Sequence, residues 1–286
     1  MRRQVACLIG ALLLVGAGAS TASGQLSTEG PVVYGHHHIY TSSIEAQKKF
    51  WIDTLGGEDA GNLGPVPVAI VRIPGVHMLL SEQVPSGGTI GTSVNHIGFQ
   101  VPDLRATIRK VTEAGYPNIT REEMPPSIAV DEDGLVRIED QDTYISFVMA
   151  PDGVKVELLE NKSMSGSIVL HHVHFATPDV PGMQEWYANA FGAVPGMRGS
   201  FRAADLPGIN LTFSPSSTPV KPTRLKALDH IGFEIRNLEE FARQLEAKGI
   251  ELDGDYFYSD AVKLGVAFVT DPWGTRIELT EGLGEY

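Results

Sequence analysis

Leu228-Asp229-His230-Ile231-Gly232-Phe233-Glu234-Ile235 opens a unit that Val269-Thr270-Asp271-Pro272-Trp273-Gly274-Thr275-Arg276-Ile277-Glu278-Leu279 closes. Both runs have the two-residue period of strands. In the first, Ile231, Phe233 and Ile235 face one way and His230, Gly232 and Glu234 the other. In the second, Ile277 and Leu279 share a face, with Arg276, Glu278 and Thr280 opposite. Between them lies a helical pattern. Asn237 and Glu240 have the spacing of a capping box, Leu238, Phe241 and Leu245 form an apolar stripe, and Gly249 is a stop signal. The unit therefore reads as strand, helix and further strands. One strand face is apolar; the other carries a histidine on the first strand and a glutamate on the last.

Three more stretches repeat the pattern, and such repetition is diagnostic of architecture. Val94 to Leu159 carries His96-Ile97-Gly98-Phe99 and ends through Ala150-Pro151-Asp152-Gly153 to Glu157. Leu170 to Phe213 opens with His172-Val173-His174-Phe175. Tyr34 to Leu80 opens with His36-His37-His38-Ile39. His96 to Pro102 aligns with His172 to Pro178, which makes His36, His96, His172 and His230 equivalent. Glu157 and Glu278 are also equivalent, whereas the first and third copies have Leu79 and Thr212 there. Helix starts are expected at Ser42 with Glu45, at Asp103 and at Asp179. Polar, small residues over 161–167 mark the expected boundary between two domains, 31–161 (modules 31–83 and 93–161) and 168–282 (modules 168–214 and 227–282).

Residues 1–24 read as a signal peptide. Arg2 and Arg3 precede an apolar run, and Ala22-Ser23-Gly24 offers a small-residue cleavage site. The expected location is therefore periplasmic or secreted, with no membrane association after cleavage. The chain's one cysteine, Cys7, lies in this leader, so the mature chain has no disulfide and its stability rests on burial. Without Arg2 and Arg3, 20 basic residues face 35 acidic ones, a net charge of −15. Such a surface repels nucleic acid, and no basic stripe overrides it.

The βαβββ unit with His on its first strand and Glu on its last resembles the vicinal oxygen chelate superfamily, the family of glyoxalases, bleomycin-resistance proteins and extradiol dioxygenases. Phe268-x-x-Asp271-Pro272-x-Gly274-x-x-x-Glu278 is similar to the end of the type I extradiol signature, and Phe147 to Glu157 repeats its spacing. The resemblance implies an α+β fold of four modules paired into two open cups. It also implies a divalent metal in a cup, with Fe(II) or Mn(II) favoured and Zn(II) as the alternative. Pairing of sequence neighbours would group His36, His96 and Glu157 in one cup and His172, His230 and Glu278 in the other. Pairing first with fourth and second with third would still give each cup two histidines and one glutamate.

His38 and His174 point into the same cups, two residues beyond His36 and His172, as candidate acid/base groups or fourth ligands. His37 and His171 fall on the opposite strand face and read as structural. Arg276 and Lys155 share the glutamate face and are expected to pair with carboxylates. The implied reaction is dioxygenase-like, on a small molecule that chelates through neighbouring oxygens. A glyoxalase- or epimerase-like lyase or isomerase is the alternative, set back by Leu79 and Thr212 where a second carboxylate would stand. A non-catalytic protein that binds antibiotic-like molecules is the third reading.

Overall fold

All four expected units form in a computed structural model that describes residues 30–286; the expected leader, residues 1–24, lies outside the described residues. The first comprises β1 (Val32–Thr41), α1 (Ile44–Lys48, continued by π-helical turns over Lys49–Thr54), β2 (Glu58–Asn62), β3 (Val68–Ile73) and β4 (Val76–Glu82). The second has β5 (Val94–Val101), α2 (Leu104–Glu113), α3 (Thr120–Glu123), β6 (Val136–Ile138), β7 (Thr143–Met149) and β8 (Lys155–Glu160). The third has β9 (Val169–Thr177), α4 (Val180–Phe191), β10 (Val194–Arg198), β11 (Phe201–Leu206) and β12 (Ile209–Pro215). The fourth has β13 (Leu228–Ile235), α5 (Leu238–Ala247), β14 (Phe257–Ser259), β15 (Leu264–Thr270) and β16 (Arg276–Glu281).

Two of the four helix starts are capped as expected. Asp103 accepts from the Ala106 amide at 2.9 Å and Asp179 from the Gly182 amide at 3.0 Å. The first helix is capped one residue later than expected, by Ser43, whose hydroxyl accepts from the Ala46 amide at 3.2 Å. Ser42 instead donates to Asp152, 2.6 Å away. The fourth start lacks its expected box. Asn237 has φ +58° and makes no side-chain cap. The Glu281 carboxylate on β16 accepts from the Asn237 and Leu238 amides, at 2.9 and 3.1 Å, while Glu240 pairs with Arg243. A carboxylate from a distant strand thus does the local residue's work.

The strands build two eight-stranded sheets, in the orders β14-β15-β16-β13-β1-β4-β3-β2 and β10-β11-β12-β9-β5-β8-β7-β6. Module 1 therefore joins module 4 through antiparallel β1 and β13, and module 2 joins module 3 through β5 and β9. This corrects the expected pairing of neighbouring modules within 31–161 and within 168–282: each sheet joins a module of one half to a module of the other. Sequence neighbours do meet, but through their apolar faces and helices. Trp51 packs on Phe99 with ring centroids 5.3 Å apart, and Phe191 on Phe233 at 4.7 Å. One continuous core fills the space between the sheets. Its largest members, among them Trp51, Tyr34, Phe50 and Phe99, are fully buried and contribute roughly 1.5–3 kcal/mol each. The histidine- and glutamate-bearing faces are those turned away from this core.

The Asp-Pro-Trp-Gly turn sets the start of β16. Asp271 accepts from the amides of Trp273 and Thr275 through one oxygen, at 2.9 and 2.8 Å, and from the Tyr187 hydroxyl through the other. Burial pushes its carboxyl up to about 6, against the partial offset of those hydrogen bonds. An acid whose folded pKa is raised adds stability below its unfolded pKa, and that stability is lost as pH rises through the folded one. Stability should fall by on the order of 3 kcal/mol from below pH 4 to above pH 6 through this group. In Asp271→Asn that part of the pH dependence should vanish from denaturant titrations. An unchanged profile would mean that Asp271 does not titrate there.

Candidate metal centres

Two clusters converge on the outer faces of the sheets. The outer cup, between modules 1 and 4, holds His36, His38, His230 and Glu278. The inner cup, between modules 2 and 3, holds His96, Glu157, His172 and His174. Within each cluster the candidate donor atoms all lie within 4.8 Å of one another. The neighbour grouping of His36 with His96 and Glu157, and of His172 with His230 and Glu278, is thereby corrected. The central strands are shared by modules from opposite halves, so each pair of first-strand histidines is exchanged.

Four β-bulges aim the histidines. In the β1–β13 ladder the register skips Gly35 and Asp229; in the β5–β9 ladder it skips Asn95 and His171. Each skipped residue immediately precedes one of the four equivalent histidines, and bulges are a known means of re-aiming a side chain. The bulge residue also decides what holds the ring from behind. Asp229 Oδ1 lies 2.6 Å from His230 Nδ1, Asn95 Oδ1 lies 2.9 Å from His96 Nδ1, and His171 Nδ1 lies 2.9 Å from His172 Nδ1. Gly35 has no side chain, and His36 Nδ1 is buried without a partner. His171, expected to be structural, is thus beside the site. His37 lies on the core side, with Nδ1 2.8 Å from the Tyr34 hydroxyl.

Each of these four rings turns Nε2 into its cup. His96 and His172 Nε2 lie 2.8 and 3.0 Å from the same Glu157 oxygen and 3.3 Å from each other. In the outer cup, His230 and His36 Nε2 lie 2.8 and 2.9 Å from one Glu278 oxygen. Donor atoms spaced in this way suit a shared cation about 2 Å from each. The third histidine of each cup is less committed. His38 Nε2 meets the Ser81 hydroxyl at 2.7 Å, and the Nδ1 atoms of His38 and His174 are buried without partners. Donor chemistry and these orphaned nitrogens both fit a divalent metal.

Electrostatics favour the ligating forms. Burial alone would raise Glu157, but the charges and hydrogen bonds of His172 and His96 hold it well below the usual carboxylate range. Glu278 is held low against the same burial effect by His230 and His36. Burial lowers His36, His38, His96 and His174, and brings His172 down to about 3. His230 differs. Burial lowers it, but hydrogen bonds to Asp229 and Glu278 outweigh that and raise it. Asp229 is held at about 2, burial notwithstanding, by His230, the Leu225 amide and Arg276.

The cups also differ in access. Leu63, Ile70, Leu79, Val262, Leu264 and Leu283 cluster on the outer sheet, and Tyr286 packs against them. The inner cup opens into a cavity of about 250 Å³ that includes His96, Glu157 and His174 and is walled by Phe147, Ile145 and Phe201. Arg276 pairs with Asp229 at 2.8 Å and Lys155 with Glu123 at 2.6 Å, as expected. Arg198, which also lines the inner cavity, had no signal in the strand pattern. Asn95 and Asp229 were legible only as the residue before each histidine.

Gly98 and Gly232 explain the His-Ile-Gly-Phe repeat. A Cβ on Gly98 would fall 2.0 Å from the His172 ring, and one on Gly232 would fall 2.0 Å from His36. Each glycine leaves the space in which the histidine of the paired module lies.

Comparison with known proteins agrees with this architecture. Lactoylglutathione lyase of Haemophilus influenzae is 36% identical over 78 residues, covering 27% of this chain and 48% of that protein. The chain thus spans about half the length of the curated relative it matches. The crystal structure of glyoxalase I from Zea mays superimposes with a TM-score of 0.67 at 14% identity, covering 89% of this chain and 94% of that one, a likeness of fold. The family profile matches residues 128–279, more than half of the sequence. The chain therefore belongs to the Glyoxalase/Bleomycin resistance protein/Dioxygenase superfamily.

Proposed function

We propose that this protein is an exported, metal-dependent enzyme whose reaction centre is the inner cup, with dioxygenase-like chemistry on a small oxygen-chelating molecule as the first reading. The observation that carries it is the junction of a His96–His172–Glu157 donor set with an apolar-walled cavity. Those three residues would hold divalent iron or manganese, with zinc as the alternative. A metal so held would supply Lewis acidity or, as iron, oxygen chemistry.

The chain's own residues supply the rest. Glu157 is engaged by two imidazoles and is not free to act as a base. Proton movement falls to His174, which is kept neutral by burial and has Nδ1 unpartnered. Phe147, with its ring centroid 5.2 Å from that of His96, and Ile145 keep water from the cup wall. The sequence match to a lactoylglutathione lyase favours a second reading, a lyase or isomerase. Against it, Thr212 stands where the inner cup would need a second carboxylate.

The test uses protein recovered from the periplasm or medium, with an intact mass starting near Gln25, and loaded with Fe(II). Oxygen uptake is followed with catechols and hydroxyquinones, beside a lyase assay on the methylglyoxal–glutathione adduct. Uptake is expected, and His174→Ala should slow it about 100-fold or more at unchanged iron content. Oxygen-independent turnover of the adduct would instead establish the second reading. Iron binding with no turnover in either assay would leave a binding protein.

A further inference from the structure

We propose that Arg198 selects the substrate of the inner cup and that this substrate is a small acid: two neighbouring oxygens for the His96–His172–Glu157 set, a carboxylate for the Arg198 guanidinium, and an apolar body between them. The proposal rests on the inner cup being the metal-binding reaction centre. Arg198 ends β10, and the Gly199–Ser200 turn carries the chain on into β11, so one short hairpin forms a wall of the cavity.

Three observations carry it. First, Arg198 is half-buried, and among the described residues it lies within ion-pair distance of no carboxylate. Among the described residues, the guanidinium's one hydrogen bond is from Nη1 to the Thr212 hydroxyl, at a long 3.3 Å. The two cations that share the glutamate faces, Lys155 and Arg276, are by contrast each neutralised by a carboxylate. A guanidinium withdrawn from water needs a counter-charge, and its fork suits a carboxylate in particular.

Second, Thr212 is the third module's counterpart of Glu157 and Glu278, and it stands beside His174 in the strand register. Arg198 reaches the position where a second protein carboxylate would have stood. An anion at that position would have to come from the ligand.

Third, the charges leave room for it. The inner cluster has Glu157 as its carboxylate, and Arg198 is the cation that lines the same cavity. A divalent metal would add two positive charges, so the loaded cup favours a ligand carrying two negative ones, as an ionised chelating oxygen and a carboxylate would. The walls set the size of the body: Met124, Ile138, Ile145, Phe147, Leu159 and Phe201 enclose room for a ring or a short branched acid.

The experiment separates this from the reading beneath it. The chain in a Glu278→Ala background, which removes the outer cup's carboxylate, is titrated with Mn(II) by electron paramagnetic resonance. The Mn-loaded protein is then titrated calorimetrically with catechol, 2,3-dihydroxybenzoate and 3,4-dihydroxybenzoate. At least one acid should bind about ten-fold or more tighter than catechol. Arg198→Gln should abolish that preference and Arg198→Lys should keep part of it, with Mn(II) affinity unchanged in both. Equal binding of acids and catechol, or a preference that survives Arg198→Gln, would overturn the role of Arg198 with the metal reading intact. Loss of Mn(II) from Arg198→Gln would make Arg198 a support of the cluster and overturn substrate selection. Failure of the parent protein to take up Mn(II) would overturn the metal reading and the proposal with it.

Discussion

Glu157→Ala is expected to lower the divalent-metal affinity of the inner cup by roughly 100-fold or more and to abolish turnover. One Glu157 oxygen lies within 3.0 Å of both His96 and His172 Nε2, and it is the anionic member of the inner cluster. Changes to residues that merely orient metal ligands typically cost about 10–100-fold, and removing a ligand should cost at least the upper end. Without it, two buried imidazoles 3.3 Å apart lose the carboxylate oxygen that both of them meet. That should cost about 1–3 kcal/mol of stability, small enough to leave the fold in place. The neighbouring Val156 and Leu158 carry the packing on the other strand face and are fully buried. Site-resolved metal titration, with circular dichroism as the folding check, reads the outcome. Glu278→Ala should have the corresponding effect on the outer cup alone. Undiminished inner-cup affinity in Glu157→Ala would refute the ligand assignment.

The second large effect is expected from Gly98→Ala, which adds one methyl group to a residue that is not itself a ligand. Its Cβ would sit 2.0, 2.1 and 2.8 Å from three atoms of the His172 ring. The ring is fully buried and cannot swing into solvent. Gly98 does not adopt a left-handed backbone, so alanine is excluded by the ring rather than by φ. The substitution should destabilise the protein by about 1–3 kcal/mol. It should also push His172 away from Glu157, so that inner-cup metal affinity falls as far as in a His172 variant. Gly98→Ala with His172→Ala should regain most of the stability lost to the clash and none of the metal affinity, a coupling that a double-mutant cycle measures directly. If Gly98→Ala binds metal normally, the ring has an alternative position and the glycine is not what admits it.

What the sequence determined by itself is local. The two-residue alternation, the apolar stripes and the Asp103 and Asp179 caps depend on residues a few positions apart, and each appears where those residues put it. The histidine and glutamate faces were legible for the same reason, since strand periodicity alone assigns a side chain to a face. Pairing was not legible. All four modules present a similar first strand, so nothing near His36 shows whether it meets His96 or His230. Only the assembled sheets decided that, because strand edges join modules 1 and 4, and 2 and 3, while sequence neighbours meet through their cores. The bulges were hidden likewise: a bulge is a mismatch between two strands and exists only once they pair, so Gly35, Asn95, His171 and Asp229 became bulge residues only in the tertiary structure, and three of them partners of the histidines. Access to the cups was decided at the same level. Leu63 and Leu283 come together on the outer sheet from opposite ends of the chain, while the β10–β11 turn brings Arg198 to the inner cavity, and no local pattern encodes such distant contacts.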